Sequence, residues 1–191
     1  MPSFPSDSVG ALPLQASSGS STRPSGIEQE VMALFEQLRN PVMRYLISLG
    51  LPVQEAEDVT QEVFMALFLH LKQGKSRRSL RGWIFRVARN MAFKQMAAKG
   101  RSGEIGGLDG ASGETQADSA PSAEEQVLTA GRLRRLVAVF RALPEQDQSC
   151  LRLRAEGLRY REIAGVLEMS LGAVSESITR SLARLMRAEG R

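Results

Sequence analysis

The 191 residues carry 25 basic and 21 acidic side chains, a net charge of +4, and are enough for one ordinary domain or two small ones. One cysteine (Cys150) and one histidine (His70) exclude an internal disulfide, a cysteine-built metal site and histidine-based triad chemistry. The longest apolar run, Val63 to Leu69, is too short to span a bilayer, and the N-terminus lacks a basic stretch leading into an apolar one; the chain is expected to be soluble, cytoplasmic and without membrane insertion.

Residues 1–26 are rich in Ser, Pro and Gly, with too little apolar surface to offset the entropy of ordering, and are expected to be a disordered tail. Residues 27–99 carry 11 basic and 7 acidic side chains. The first helical pattern there places Val31, Leu34, Phe35 and Leu38 on one stripe, continued by Val42, Leu46 and Leu49. Pro41 interrupts it and predicts a broken or kinked pair of helices. A second helix is expected from about Val53 to Lys72, with Val59, Val63, Ala66, Leu67 and His70 on one side. A basic loop from Gly74 to Arg78 follows. A third helix starts near Ser79 and reaches about Ala98, on a core stripe of Leu80, Ile84, Val87 and Met91.

Residues 100–125 carry one basic side chain against six acidic ones amid many glycines, which reads as a flexible acidic linker. As a free coil its ends average roughly 28 Å apart, less than the ~34 Å of one DNA turn, so two DNA elements several turns apart would require it to be drawn out. Residues 126–191 return to a basic balance, 12 against 7. Val127, Leu133, Leu136, Val137 and Phe140 form a stripe that Leu143–Pro144 ends. Helices over about Glu145–Ala155, Tyr160–Leu167 and Leu171–Ala188 follow, with Gly157 as the stop of the first. The fold class is therefore all-α, two small helical domains on one linker.

Residues 159–188 have a helix-turn-helix layout. Ile163, Ala164 and Leu167 point inward on the short helix, Glu168-Met169-Ser170 makes the turn with Ser170 as N-cap, and Val174, Ile178, Leu182 and Leu185 bury the last helix. The outward face then holds Ala173, Ser175, Glu176, Ser177, Thr179, Arg180, Arg184 and Arg187. In such motifs the start of the second helix meets base edges and the flanking cations meet phosphates.

Two further groups stand out in the first block. Asp58, Gln61 and Glu62 share a helical face, an acidic patch suited to a basic partner helix. Arg86, Arg89 and Asn90, flanked by Trp83 and Phe85 and preceded by Lys75, Arg77 and Arg78, interleave cations with rings, as a single-strand DNA surface does. Core packing is the alternative for Trp83 and Phe85.

Together these fragments resemble the extracytoplasmic-function group of the bacterial sigma-70 family. Asp58-Val-Thr-Gln-Glu62-Val-Phe64 and Ser79-Leu-Arg-Gly-Trp83-Ile-Phe-Arg86-Val-Ala-Arg89-Asn90 look like its region 2. Leu143-Pro144, Glu156-Gly157-Leu158, Tyr160-Arg-Glu162-Ile163-Ala164 and Gly172-Ala173-Val174 look like its region 4. The resemblance implies a promoter-specificity subunit, not an enzyme, without metal or cofactor. Its partners would be promoter DNA, core RNA polymerase and, as often in the group, an anti-sigma factor. Asp58, Gln61, Glu62 and Met65 would dock on the clamp helices of the polymerase's largest subunit. Lys75, Arg77, Arg78, Trp83, Phe85, Arg86, Arg89 and Asn90 would melt and hold the −10 element. Ser175, Glu176, Ser177, Thr179, Arg180 and Arg184 would read the −35 duplex.

The chain departs from the family in two places. Arg159 stands where a Ser or Thr often caps the first motif helix, so capping should be weaker or supplied otherwise. Ser175 and Ser177 are neutral where Lys and Arg are frequent, which implies less phosphate attraction. A free-standing helix-turn-helix regulator is the alternative function, and it leaves the Asp58–Glu62 patch and the Trp83–Asn90 segment without a role.

Overall fold

The computed structural model describes residues 26–101 and 123–189. Seven helices are found there: α1 (Gly26–Ser48), α2 (Val53–Lys72), α3 (Leu80–Arg101), α4 (Ala123–Arg141), α5 (Glu145–Ala155), α6 (Tyr160–Leu167) and α7 (Leu171–Glu189). The expected tail, apart from Gly26, and residues 102–122 of the expected linker lie outside the described residues. Both ends of that linker are helical: α3 extends through Arg101, and α4 begins at Ala123.

The first block, α1–α3, forms because each helix buries a stripe. Leu38, Val42, Tyr45 and Leu46 on α1 meet Ala56, Val59, Val63, Phe64, Leu67 and Leu71 on α2. Phe35 sets its ring edge-on to Phe64 at 5.0 Å. Pro41 does not divide the segment as expected; it lies inside a single α1. The lost backbone bond is outweighed by the burial of the flanking Leu38 and Val42, about 1.5–3 kcal/mol for each large apolar side chain. Gly50, at φ +107, turns the chain, and Leu51–Pro52 leads into α2.

The α3 stripe is rotated from the expected one. Ile84, Phe85, Ala88 and Ala92 are fully buried, whereas Leu80, Val87 and Met91 are half-buried. The reason is that α3 is gripped by α1, α2 and also α6 of the second block.

The second block packs α5, α6 and α7 around Cys150, Leu153, Leu158, Ile163, Val166, Val174 and Ile178. Gly157 ends α5 in the left-handed region at φ +81, and the Leu158 amide donates back to the Leu153 carbonyl at 3.2 Å. The Arg159 backbone amide donates to the Glu162 carboxylate at 2.7 Å, so the missing hydroxyl cap of α6 is replaced by the reciprocal half of a capping box. Helix α4 packs on α7, yet Leu133 and Val137, assigned above to its buried stripe, are exposed, as are Leu182 and Met186 on α7. Among the described residues an apolar groove lined by Val137, Phe140, Leu182 and Met186 lies between these helices.

Candidate nucleic-acid interface

The acidic patch lies where its spacing put it. Asp58, Gln61, Glu62 and Met65 are all exposed on α2, opposite the buried Val59 and Val63, and Met65 is 62% exposed. An exposed methionine beside two carboxylates and an amide gives one helical face both apolar area and negative charge, which fits a basic amphipathic helix.

The expected −10 surface is brought together only in part. Lys75, Arg77, Arg78, Arg86 and Asn90 are exposed. Arg77 is tied back to Glu30 of α1 at 3.1 Å. Trp83 is half-buried, its ring 4.6 Å from the His70 imidazole, and His70 Nε2 lies 2.9 Å from the Ser76 carbonyl oxygen. The lone histidine therefore links α2, the basic loop and Trp83, a role that periodicity alone could not reveal. Phe85 is a correction: it is fully buried, 5.5 Å from the Tyr45 ring, and offers no face to a base. Arg89 is half-buried, its guanidinium 4.6 Å from the centre of the Phe93 ring, and its Nε has no partner.

That side of the first block is where the second block rests. Arg81 Nη2 donates to the Glu156 carbonyl at 2.6 Å, and the Glu156 carboxylate accepts from Arg44 of α1 at 2.7 Å. Gly82 is buried against α6: a Cβ there would meet Glu162 at an ordinary contact distance of 3.6 Å, and would crowd Ser79 Oγ at 2.9 Å. The contact surface is not fully satisfied: the Nε atoms of Arg81 and Arg89 and the Tyr45 hydroxyl are buried without a hydrogen-bond partner. Burial pushes the Tyr45 pKa up to about 12, against the pull of Arg89 and Arg152. Burial also lowers Arg152, with Tyr45 and Glu145 opposing the shift. Each unpartnered buried group costs about 1–3 kcal/mol, which offsets part of the gain from the apolar core that runs through both blocks.

In the helix-turn-helix, Ser170 caps α7 by accepting from the Ala173 amide at 3.1 Å, and Glu168 turns the chain at φ +56. Glu176, Thr179, Arg180 and Arg184 are exposed and Ser175 is half-buried. Ser177 is a second correction: it is 2% exposed and donates to Asp147 Oδ1 at 2.7 Å, so it faces α5 rather than outward. Arg180 also reaches Asp147, with its Nη2 at 3.0 and 3.2 Å from the two carboxylate oxygens, and its Nη1 lies 3.3 Å from Glu176. Asp147 was not among the residues singled out from the sequence. Its only signal there is an acid at the start of α5 with no apolar role.

The described residues contain no group of three or more His, Cys, Asp or Glu placed to hold a metal ion. None of their helices is long and apolar enough to cross a membrane.

Comparison with known proteins agrees with this layout. Residues 34–102 match the Sigma-70 region 2 family model and residues 133–185 the Sigma-70 region 4 model. The chain is 28% identical over 142 residues to the ECF RNA polymerase sigma-E factor of Escherichia coli, covering 71% of this chain and 74% of that protein. It is 29% identical over 134 residues to the RNA polymerase sigma-H factor of Pseudomonas aeruginosa, covering 67% and 69%. Among solved structures, CnrH in complex with the cytosolic domain of CnrY has the same fold at a TM-score of 0.56 and 22% identity, covering 85% of this chain and 89% of that one. The sigma factor RpoE of Bartonella quintana, solved with the anti-sigma factor NepR, matches at a TM-score of 0.55 and 20% identity, covering 84% and 96%. With both regions present in order, and with relatives named for them along two thirds of its length, the chain belongs to the extracytoplasmic-function group of the sigma-70 family.

Proposed function

We propose that the chain is a promoter-specificity subunit that binds core RNA polymerase, reads a −35 duplex with α7 and melts and holds a −10 element with the loop and outer face of α3. It acts by binding, not by catalysis, where polymerase acts. The observation that carries this reading is the pairing, on one chain, of an exposed acidic face on α2 with an exposed helix-turn-helix face on α7. A free-standing regulator would use only the second. The same reading places residues 27–99 and 126–191 as separate units and includes an anti-sigma protein as a regulator of access to their faces.

Of the −10 residues, Lys75, Arg77, Arg78, Arg86 and Asn90 are accessible, with Arg77 paired to Glu30. Arg81 and Arg89 lie against or beside the second block, so reading two DNA elements several turns apart requires the blocks to part. The test is capture of core polymerase by the full chain, followed by runoff transcription on a genomic promoter library. Reversing Asp58 and Glu62 to Arg should weaken core binding by about tenfold or more, because opposed charges become like charges at a docking face. Wild-type chain that fails to bind core polymerase would refute the proposal.

A further inference from the structure

Asp147 is the one buried carboxylate among the described residues, 3% exposed, and it sits in the first turn of α5. Burial pushes its carboxyl up, but hydrogen bonds from Arg180 and Ser177, with the charges of Arg180 and Arg184, more than offset this and hold it below the usual carboxylate range. Its two holders are three residues apart on α7, hence on one helical face. A helix gripped at two points a turn apart by one rigid carboxylate cannot rotate about its axis without breaking both. The grip also engages Arg180, the first cation along α7, through Nε and Nη2, and Glu176 holds its remaining nitrogen Nη1, although the side chain stays 44% exposed.

We infer that Asp147 is a positioning residue for the −35 reader: it sets the rotation of α7 and withholds the Arg180 charge from DNA phosphates, so that discrimination falls on Ser175, Glu176 and Thr179. The inference rests on α7 being the duplex-reading helix. It also explains how a recognition helix with few free cations could favour sequence over general attraction to DNA.

Asp147→Asn tests it, since the amide keeps the shape and an acceptor for Ser177 but releases Arg180. Binding would be measured with holoenzyme formed from the full chain and core polymerase. The probes are a duplex selected by that holoenzyme from a random pool and a scrambled duplex, across a salt titration. One additional phosphate contact steepens the slope of log K against log salt by about 0.9, roughly a 3.5-fold larger loss over a fourfold rise in salt. The expected result is that steepening, a gain on the scrambled duplex that narrows selectivity, and a return of the slope when Arg180→Gln is added. Arg180→Lys, at a half-exposed position, keeps the charge but loses the two-pronged grip. It should steepen the slope in the same direction, and it decides the matter should the Asn variant lose its helical signal. Unchanged slopes and selectivity in folded variants would overturn the inference. If Ser175→Ala, Thr179→Ala and Arg184→Gln together leave duplex binding untouched, α7 is not the reader and the underlying reading fails; a loss there beside unmoved Asp147 and Arg180 variants defeats the positioning role alone.

Discussion

The contact between the two blocks can be tilted by one charge. Arg44 on α1 and Glu156 at the end of α5 meet at 2.7 Å, with Arg44 61% and Glu156 11% exposed. An exposed pair contributes about 0–1 kcal/mol, and the shielding of Glu156 places this one near the upper end, about 1 kcal/mol. Glu156→Gln should therefore raise the ratio of open to closed molecules about fivefold at RT of ~0.6 kcal/mol. Arg44→Glu adds repulsion to the lost attraction, about 2 kcal/mol in all, or roughly thirtyfold. The Arg44→Glu, Glu156→Arg exchange should restore closure, and a cation at the end of α5 also suits the helix dipole. Arg44 belongs to neither the proposed docking face nor the DNA surfaces, so the change leaves those intact. The assay is single-molecule energy transfer between dyes on cysteines introduced at Lys72 and Arg187, both exposed. The populations should order as wild type, Gln, Glu, with the exchange returning toward wild type. If all four share one distance distribution, or if the exchange is as open as the Arg44 single variant, the Arg44–Glu156 pair does not control the arrangement of the blocks.

Tyr45→Phe removes a buried hydroxyl without a partner and should raise stability by about 1 kcal/mol in urea unfolding. The sign of its pH effect is fixed: the folded-state pKa is raised to about 12 from 10, so wild-type stability is full below pH 10 and falls by up to about 3 kcal/mol between pH 10 and 12, a loss absent from the Phe variant. Burial raises the Cys150 thiol, which lies inside the α5–α7 core; alkylation at neutral pH should be slow in the native protein and become rapid only in denaturant. Ser175→Lys should strengthen duplex binding and steepen its salt dependence by up to about 0.9 in slope. Ser177→Arg, which its family position would suggest as a partner change, should instead lower the melting temperature, because the side chain would enter the space of Asp147.

What could be read from the sequence depended on how many neighbours each helix has. Helices α2, α5 and α6 begin and end where Gly, Pro and the apolar period put them, and the Asp58–Met65 face lies outward because α2 buries only its other side. For α3 the period gave the wrong column. A helix packed by three others carries apolar residues nearly all round, so Leu80, Trp83, Ile84, Phe85, Val87 and Met91 suggest several stripes. The alanines at 88 and 92, buried because the helices approach closely there, carry too little hydrophobicity to mark the true one. On α7 the difficulty is the reverse. Ser177 and Ser181 are polar, yet both are fully buried. Ser177 is held on the inner face in part by an acid thirty residues earlier in the chain, a partner that no local pattern encodes, and the Ser181 hydroxyl is buried with no hydrogen-bond partner.

The two corrections have opposite effects on the surface. Burial of Phe85 removes a ring from the proposed single-strand face and leaves Trp83 and the exposed cations around it to form that face. The burial of Ser177, together with the Asp147 grip on Arg180, removes polar and cationic groups from the proposed duplex face, leaving Arg184 and Arg187 as the exposed cations of α7 with no ion pair to another described residue. A chain with a net charge of +5 over residues 126–191 thus offers DNA less positive charge than its composition promises. Its affinity for a −35 duplex alone should be weak and shallow in salt, and firm promoter binding should appear only when core polymerase, docked on α2, brings the −10 face into reach as well. The check is the salt slope of the isolated chain against that of the holoenzyme on one promoter: a slope for the isolated chain as steep as that of the holoenzyme would show that the charge is not held back.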